Sequence, residues 1–129
     1  MKVLLDTHVL LWAAYEPARL GPTARTVLQV RGNQRFVSVA SLWEMGIKRA
    51  TGKLPEAARI LDDVPAFLSL LAATVWPVAT AHALLAPTLT WDHKDPFDRM
   101  LAAQALVEDV PLMSVDQAFD AVPGLTRLW

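Results

Sequence analysis

Residues 1–12 read Met1-Lys2-Val3-Leu4-Leu5-Asp6-Thr7-His8-Val9-Leu10-Leu11-Trp12, and the architecture turns on them. Val3-Leu4-Leu5 is a short run that is apolar on both faces, as in a strand buried within a parallel sheet. The run stops at Asp6 and Thr7, either of which can cap a helix. A second apolar run, Val9 to Trp12, follows at once. A buried strand, a turn carrying a carboxylate and then a helix is the opening of an α/β sheet. Such sheets collect ligands at the carboxyl ends of their strands. Asp6 falls at such an end, so the rest of the chain is read for carboxylates brought to the same rim.

Beyond this stretch the pattern keeps alternating. A helix is expected over Thr7–Ala14, a loop over Glu16–Gly21, and a helix opened by Pro22 that runs to about Val30. Gly32-Asn33 closes that unit, and Phe36-Val37-Ser38 reads as a second strand. Ser38 or Ser41 starts a strong helix, Ala40 to Ala50, closed by Gly52. Helices are expected over Pro55–Asp62 and Pro65–Ala73, a strand over Thr74–Val78, and a short helix over Thr80–Ala86. Thr88–Asp95 is a polar loop, and Pro96 opens the helix Phe97–Glu108. Pro111–Val115 reads as strand four, Asp116 caps a short helix to Ala121, and Thr126–Trp129 is the last strand. Strands alternating with helices predict an α/β fold, a three-layer sandwich with a mainly parallel central sheet flanked by helices. No repeat or linker interrupts it, so residues 1–129 are read as a single domain.

Composition narrows the function classes. The chain has 129 residues and is 53% hydrophobic, which suits one packed core and argues against disorder. The apolar surplus also points to a buried partner surface. A formal net charge of −1 leaves no general basic footprint for nucleic acid, so any such contact must be local. Cysteine is absent, which excludes disulfides and thiolate metal sites and agrees with a cytoplasmic location. The N-terminal apolar run, broken by Asp6 and His8, does not read as a secretion signal. Val64 to Trp91 contains no Asp, Glu, Lys or Arg and is long enough to span a bilayer. Pro65, Pro77 and Pro87 punctuate it, however, so helix, short strand and helix are expected there instead of a membrane span.

Four carboxylates stand out. Asp6 follows strand one, and its plainest role is a helix cap. Glu44 is the only charge in Val39–Ile47. It is either a solvent-facing partner of Lys48 at i+4 or a charge that must reach water, a partner or a metal. Asp98 lies in the first turn behind Pro96, where a carboxylate complements the helix dipole, with Asp95 as the cap. Asp116 follows strand four and can cap the short helix after it. Asp6 and Asp116 follow strands, and Glu44 and Asp98 are expected in the first turns of helices, so all four point to one rim. Clustered carboxylates without positive partners repel one another, and hard divalent cations resolve the repulsion. Such ions serve phosphoryl transfer by acidifying water, orienting in-line attack and stabilising the leaving oxygen.

These blocks resemble a PIN-domain ribonuclease, in particular the VapC-type toxin of a toxin–antitoxin pair. The resemblance is carried by Leu4-Leu5-Asp6-Thr7-His8 with Leu11-Trp12, by Val37-Ser38 with Ala40–Glu44 and Ile47-Lys48, and by His93-Lys94-Asp95-Pro96-Phe97-Asp98-Arg99 leading into Leu101–Ala105. Pro111-Leu112 with Ser114, Asp116 and Phe119 completes it. Thr51 to Pro87 matches only in pattern. The resemblance implies that Asp6, Glu44, Asp98 and Asp116 are the metal-binding and catalytic acids, with Thr7 and Ser114 lining the site. Ser114 stands where the family often has Thr, and a hydroxyl is kept. It also implies a Mg²⁺- or Mn²⁺-dependent endoribonuclease, an RNA substrate, a homodimer and a cognate antitoxin that blocks the site. The competing expectation is a PIN-like RNA- or protein-binding module without significant cleavage.

Other residues carry weaker expectations. Lys48, Arg49, Lys53, Lys94 and Arg99 are candidates for phosphate contacts, and His93 for a phosphate contact or a loop cap. His8 is expected to pack, and His82 to be structural. Trp12 and Trp43 are expected in the core or an interface, and Trp91 is the candidate for stacking on a base. A haloacid-dehalogenase-type phosphatase needs a second Asp where His8 stands. A response-regulator receiver needs a Lys where the last-strand region leads to Asp116 instead.

Overall fold

The computed structural model describes residues 1–129. Its five strands are β1 (Lys2–Leu5), β2 (Gln34–Ser38), β3 (Ala73–Trp76), β4 (Leu112–Met113) and β5 (Arg127–Leu128). Its seven α-helices are α1 (Thr7–Tyr15), α2 (Pro22–Gln29), α3 (Val39–Ala50), α4 (Ala57–Leu61), α5 (Val64–Leu71), α6 (Thr80–Leu85) and α7 (Pro96–Glu108). The sheet order is β3-β2-β1-β4-β5 and every pairing is parallel, so the sheet is wholly parallel. Successive strands run outward from β1 on one side through β2 and β3. The chain then returns to place β4 on the other side of β1. The order therefore reverses at β1, and a crevice at its carboxyl end follows from the topology.

The helix starts obey their local chemistry. Asp6 caps α1 by accepting the Thr7 N–H at 2.6 Å, and Ser38 caps α3 by accepting the Ala40 N–H at 3.0 Å. Pro96 opens α7, while Asp95 Oδ1 accepts from the Phe97 and Asp98 amides at 2.8 and 3.2 Å. Two helices end without a glycine. Ala72 after α5 and Asp109 after α7 take left-handed backbone, φ 49° and 52°, a role that favours glycine. The α5 helix therefore stops at Leu71 instead of running to Ala73, and β3 begins at once.

β3 also stops early, at Trp76, because Pro77 has no N–H to offer a ladder. β4 spans two residues, not Pro111–Val115. Pro111 likewise lacks a donor, and beyond Met113 the Asp116 N–H turns back onto Ser114 Oγ at 3.0 Å. The uncharged stretch 64–91 forms helix, strand and helix, and no helix is long and apolar enough to cross a membrane.

Both faces of the sheet are covered. Val3 and Leu5 point into one layer with Leu10, Met45, Ile60, Phe67 and Met113. Leu4 points into the other with Leu101, Ala102, Ala105, Leu112 and Phe119. β1 is therefore apolar on both sides because both sides are core, and truncating such a Leu to Ala costs about 2–5 kcal/mol. The last residue, Trp129, closes over Gly21. A Cβ on Gly21 would lie 2.8 Å from the Trp129 ring and backbone.

Candidate functional site

The carboxyl ends of β1 and β4 lie side by side, and the loops that leave them meet. Asp6 is buried at this junction. Its Oδ1 accepts the Thr7 N–H, and its Oδ2 accepts the Ser114 hydroxyl at 2.6 Å. Thr7 in turn donates its own hydroxyl to Glu44 Oε1 at 2.7 Å and lies 3.1 Å from Ser41 Oγ. The second Glu44 oxygen pairs with Lys48 Nζ at 3.1 Å. Asp6 and Glu44 are thus fixed by protein donors on both oxygens, and their orientation is set before any ligand arrives.

The facing wall is α7 and the loop before it. His93 Nε2 donates to Asp98 Oδ2 at 2.6 Å, and the His93 ring stacks on Trp91 with centroids 4.6 Å apart. Trp91 is anchored by its indole N–H on the Ala118 carbonyl, 3.1 Å, and by its contact with Phe119. Arg99, the residue after Asp98, holds the loop. Its guanidinium donates to the carbonyls of Ala86, Leu89, Trp91 and His93 at 2.7–3.0 Å, with Pro87 at 3.4 Å. Asp116 is exposed and caps the turn after β4 through the Ala118 N–H at 2.9 Å. Arg127 ties β5 to this corner by donating to the Ser114 carbonyl, 2.9 Å, while gripping Asp120 with two nitrogens.

Together these elements enclose an open polar cleft of about 320 Å³ lined by Asp6, Glu44, Asp95, Asp98 and Asp116, with His8 and Lys48 at its edge. Five carboxylates face two basic side chains. Burial drives the Asp6 carboxyl above its usual range, against the hydrogen bonds from Ser114 and Thr7, and the Glu44 charge adds to the rise. Burial likewise pushes Asp98 up to about 6, against the His93 hydrogen bond, and Asp6 and Asp95 push the same way. Carboxylates resisting ionisation beside one another are short of positive charge, which is the condition a divalent cation relieves. The donor set of carboxylate oxygens fits such an ion. The most compact grouping of candidate ligand atoms is His93, Asp98 and Asp116, all within 4.8 Å of one another.

The structure therefore brings Asp6, Glu44, Asp98 and Asp116 to one cleft, with Thr7 and Ser114 hydrogen-bonded beneath them. Several expectations change. Glu44 is the sixth residue of α3, not in its first turn, and it is buried. It pairs with Lys48 as the spacing suggests, but without facing solvent. Arg99 does not reach outward for phosphate, because its donors are spent on loop carbonyls. Arg49 pairs with Asp62 at 3.2 Å, away from the cleft. Lys94 lines a neighbouring hollow with Pro87 and Met100.

Trp91 is built into the second core layer and is not a free stacking surface. Trp43 is 67% exposed, on the α3 face, and meets Phe97 edge-on at 5.3 Å. His8 is exposed on the cleft rim instead of packed. His82 is structural, since its Nδ1 accepts the Ala79 N–H and its Nε2 meets Glu108 at 2.9 Å. The Arg99 role had a signal in the sequence. A proline-bearing loop over residues 86–93 leaves carbonyls that need a donor, and a half-buried arginine supplies several.

Comparison with known proteins places this geometry. A family model described as PIN domain matches residues 3–125. The structure is similar to VapBC2 from Rickettsia felis bound to a promoter DNA fragment, with TM-score 0.70 and 17% identity over 98% of this chain and 97% of the other. It is similar to DNA-bound VapBC from Salmonella typhimurium, with TM-score 0.72 and 19% identity over 98% and 96%. FitAcB from Neisseria gonorrhoeae gives TM-score 0.65 and 18% identity over 97% and 95%. At these identities the likeness establishes the fold. Comparison with curated protein sequences finds no match.

Proposed function

The chain belongs to the PIN domain family, and from that premise we propose that it is a metal-dependent endoribonuclease, the cytoplasmic toxin of a toxin–antitoxin pair. The observation that carries the reading is the convergence of Asp6, Glu44, Asp98 and Asp116 on one cleft at the point where the strand order reverses. PIN domains are generally nucleases that use a divalent metal. The fold neighbours include VapBC complexes and a toxin–antitoxin complex from Klebsiella pneumoniae. Both facts favour cleavage over simple binding.

In this reading Asp6, Glu44, Asp98 and Asp116 hold Mg²⁺ or Mn²⁺. When bound, the ion supplies Lewis-acid polarisation of the phosphate and neutralises the clustered charge. Thr7 and Ser114 keep the Asp6 and Glu44 carboxylates aimed. Lys48 lines the cleft on the Glu44 side and is the cation placed to meet an RNA phosphate. One of the cleft acids accepts the proton of the attacking water. Water attacks the phosphorus and forms the new P–O bond as the P–O3′ bond breaks; a cleft carboxylate takes the water's proton, and solvent protonates the departing 3′ oxygen. The products are a 5′-phosphate and a 3′-hydroxyl.

The protein acts as a homodimer, and a cognate antitoxin blocks it. The antitoxin contact is placed on the exposed α3 face, where Val39, Trp43 and Ile47 are 41%, 67% and 41% exposed. This face borders an apolar groove completed by Val78, Phe97 and Met100. An antitoxin-bound structure that leaves α3 uncovered refutes that placement.

The test is incubation of total cellular RNA with the purified chain, with Mg²⁺ or Mn²⁺, with chelator, and with Asp6→Asn and Asp98→Asn. Discrete fragments that need metal and vanish in both variants support the reading. Equal cutting by the variants removes the assigned site. Absence of cutting by every form favours a binding module.

A further inference from the structure

The family resemblance assigns only acidic residues to the metal. The geometry points to a nitrogen ligand as well. We propose that His93 coordinates the ion together with Asp98 and Asp116, which makes the centre a mixed nitrogen–oxygen site that prefers Mn²⁺ to Mg²⁺. The inference rests on the reading that the acid cleft holds a divalent ion.

The observations are independent of any acid motif. Among the His, Asp and Glu side chains of the chain, the group whose ligand atoms approach one another within 4.8 Å is His93, Asp98 and Asp116. Asp6 and Glu44 lie in the same cleft beside that group, and their carboxylate oxygens, each with a lone pair to spare, remain as further ligands to the ion. The His93 ring is held in place by its stack on Trp91 and by the Arg99 bond to its own carbonyl, 2.8 Å. Its Nε2 stands 2.6 Å from Asp98 Oδ2.

Two adjacent ligands on an octahedral ion, each at about 2.1 Å, are about 3.0 Å apart. An opening of roughly 0.4 Å therefore turns this hydrogen-bonded pair into neighbouring ligands. Ligation through Nε2 uses the imidazole tautomer whose proton is on Nδ1. Imidazole nitrogen raises affinity for transition ions, whereas Mg²⁺ is a hard cation served by oxygen. A nitrogen donor therefore shifts selection toward Mn²⁺.

The test uses Mn²⁺ as the probe on the full chain and reads pulsed electron paramagnetic resonance instead of cleavage. The expected result is ¹⁴N modulation from a directly bound imidazole, converted to the ¹⁵N pattern by histidine labelling. The signal persists in His8→Gln, the histidine that lines the cleft, and is lost in His93→Gln. Gln at this position can still donate to Asp98, so a role limited to hydrogen bonding would survive the change. Calorimetry on the same proteins should show the Mn²⁺-over-Mg²⁺ preference falling about tenfold or more in His93→Gln, since loss of even an outer partner costs about 10–100-fold. Retained Mg²⁺ binding in that variant certifies its fold. Mn²⁺ bound with no nitrogen coupling, or coupling that disappears with His8 instead, overturns the assignment of His93 while leaving the metal-dependent nuclease standing. No Mn²⁺ binding at all overturns both.

Discussion

Ser114 Oγ donates to Asp6 Oδ2 at 2.6 Å, and this bond joins the carboxyl ends of β4 and β1 across 108 residues of chain. The same hydroxyl accepts the Asp116 N–H at 3.0 Å. One buried side chain thus sets two of the four acids.

Ser114→Ala leaves a buried carboxylate one donor short and frees the Asp116 amide. The expected loss of stability is about 2 kcal/mol, the range for a hydrogen bond to a charged group. Urea denaturation in chelator measures it. A change below about 0.5 kcal/mol would mean that the bond does not order the site.

Asp98 predicts an unusual dependence on pH. Its carboxyl is raised to about 6, so between the unfolded value and 6 the folded state binds more protons than the unfolded state. Stability attributable to this group therefore falls as pH rises through that window, and the penalty is complete above it. In metal-free protein, Asp98→Asn should be more stable than wild type at pH 7.5, by about 1 kcal/mol once solvent screening of this half-buried group is discounted. The advantage should vanish at pH 4 or below. Paired denaturation curves at the two pH values read the difference, and an Asp98→Asn protein less stable than wild type at both contradicts the burial argument.

Metal should act as a stabilising ligand for the same reason. Saturating Mn²⁺ at about 100 times its Kd adds ~2.7 kcal/mol to the folded state, and excess chelator removes it. Thermal melts of wild type, Asp6→Asn and Asp98→Asn should show the shift shrinking in both variants. An equal shift in all three would place the ion elsewhere.

Arg99 is assigned to the loop, not to substrate. Arg99→Lys keeps the charge but not the fork that meets several carbonyls, so it should cost at least ~2 kcal/mol. A residue whose only role is to meet phosphate would instead leave stability nearly unchanged and alter the salt dependence of RNA binding.

Much of this arrangement is legible in the chain. Val3-Leu4-Leu5 before Asp6, and Asp95-Pro96 before Asp98, announce their elements because caps, proline and burial on two faces are local effects. The carboxylate rim follows from strand-then-helix alternation. What is not legible depends on tertiary partners. The burial of Glu44 is set by Thr7, from another element. The His93–Asp98 bond depends on a loop shape that Arg99 imposes from inside α7. The α5 end, expected at Ala73, falls at Leu71 with Ala72 in left-handed backbone, where no glycine announces the stop. Trp91 is built into the core instead of standing free to stack, and Trp43, expected in the core or an interface, is exposed, because an apolar helical run does not reveal which face its neighbours leave open.

The most direct measurement is the chemistry of the cut ends on a synthetic RNA carrying a single-stranded loop, with Mn²⁺ and with chelator. A carboxylate-held ion and attacking water predict 5′-phosphate and 3′-hydroxyl ends that form only with metal and not with Asp6→Asn. Ends bearing a 2′,3′-cyclic phosphate, formed in chelator and insensitive to Asp6→Asn, would mean that the RNA's own 2′-hydroxyl is the nucleophile and would contradict the metal-dependent account.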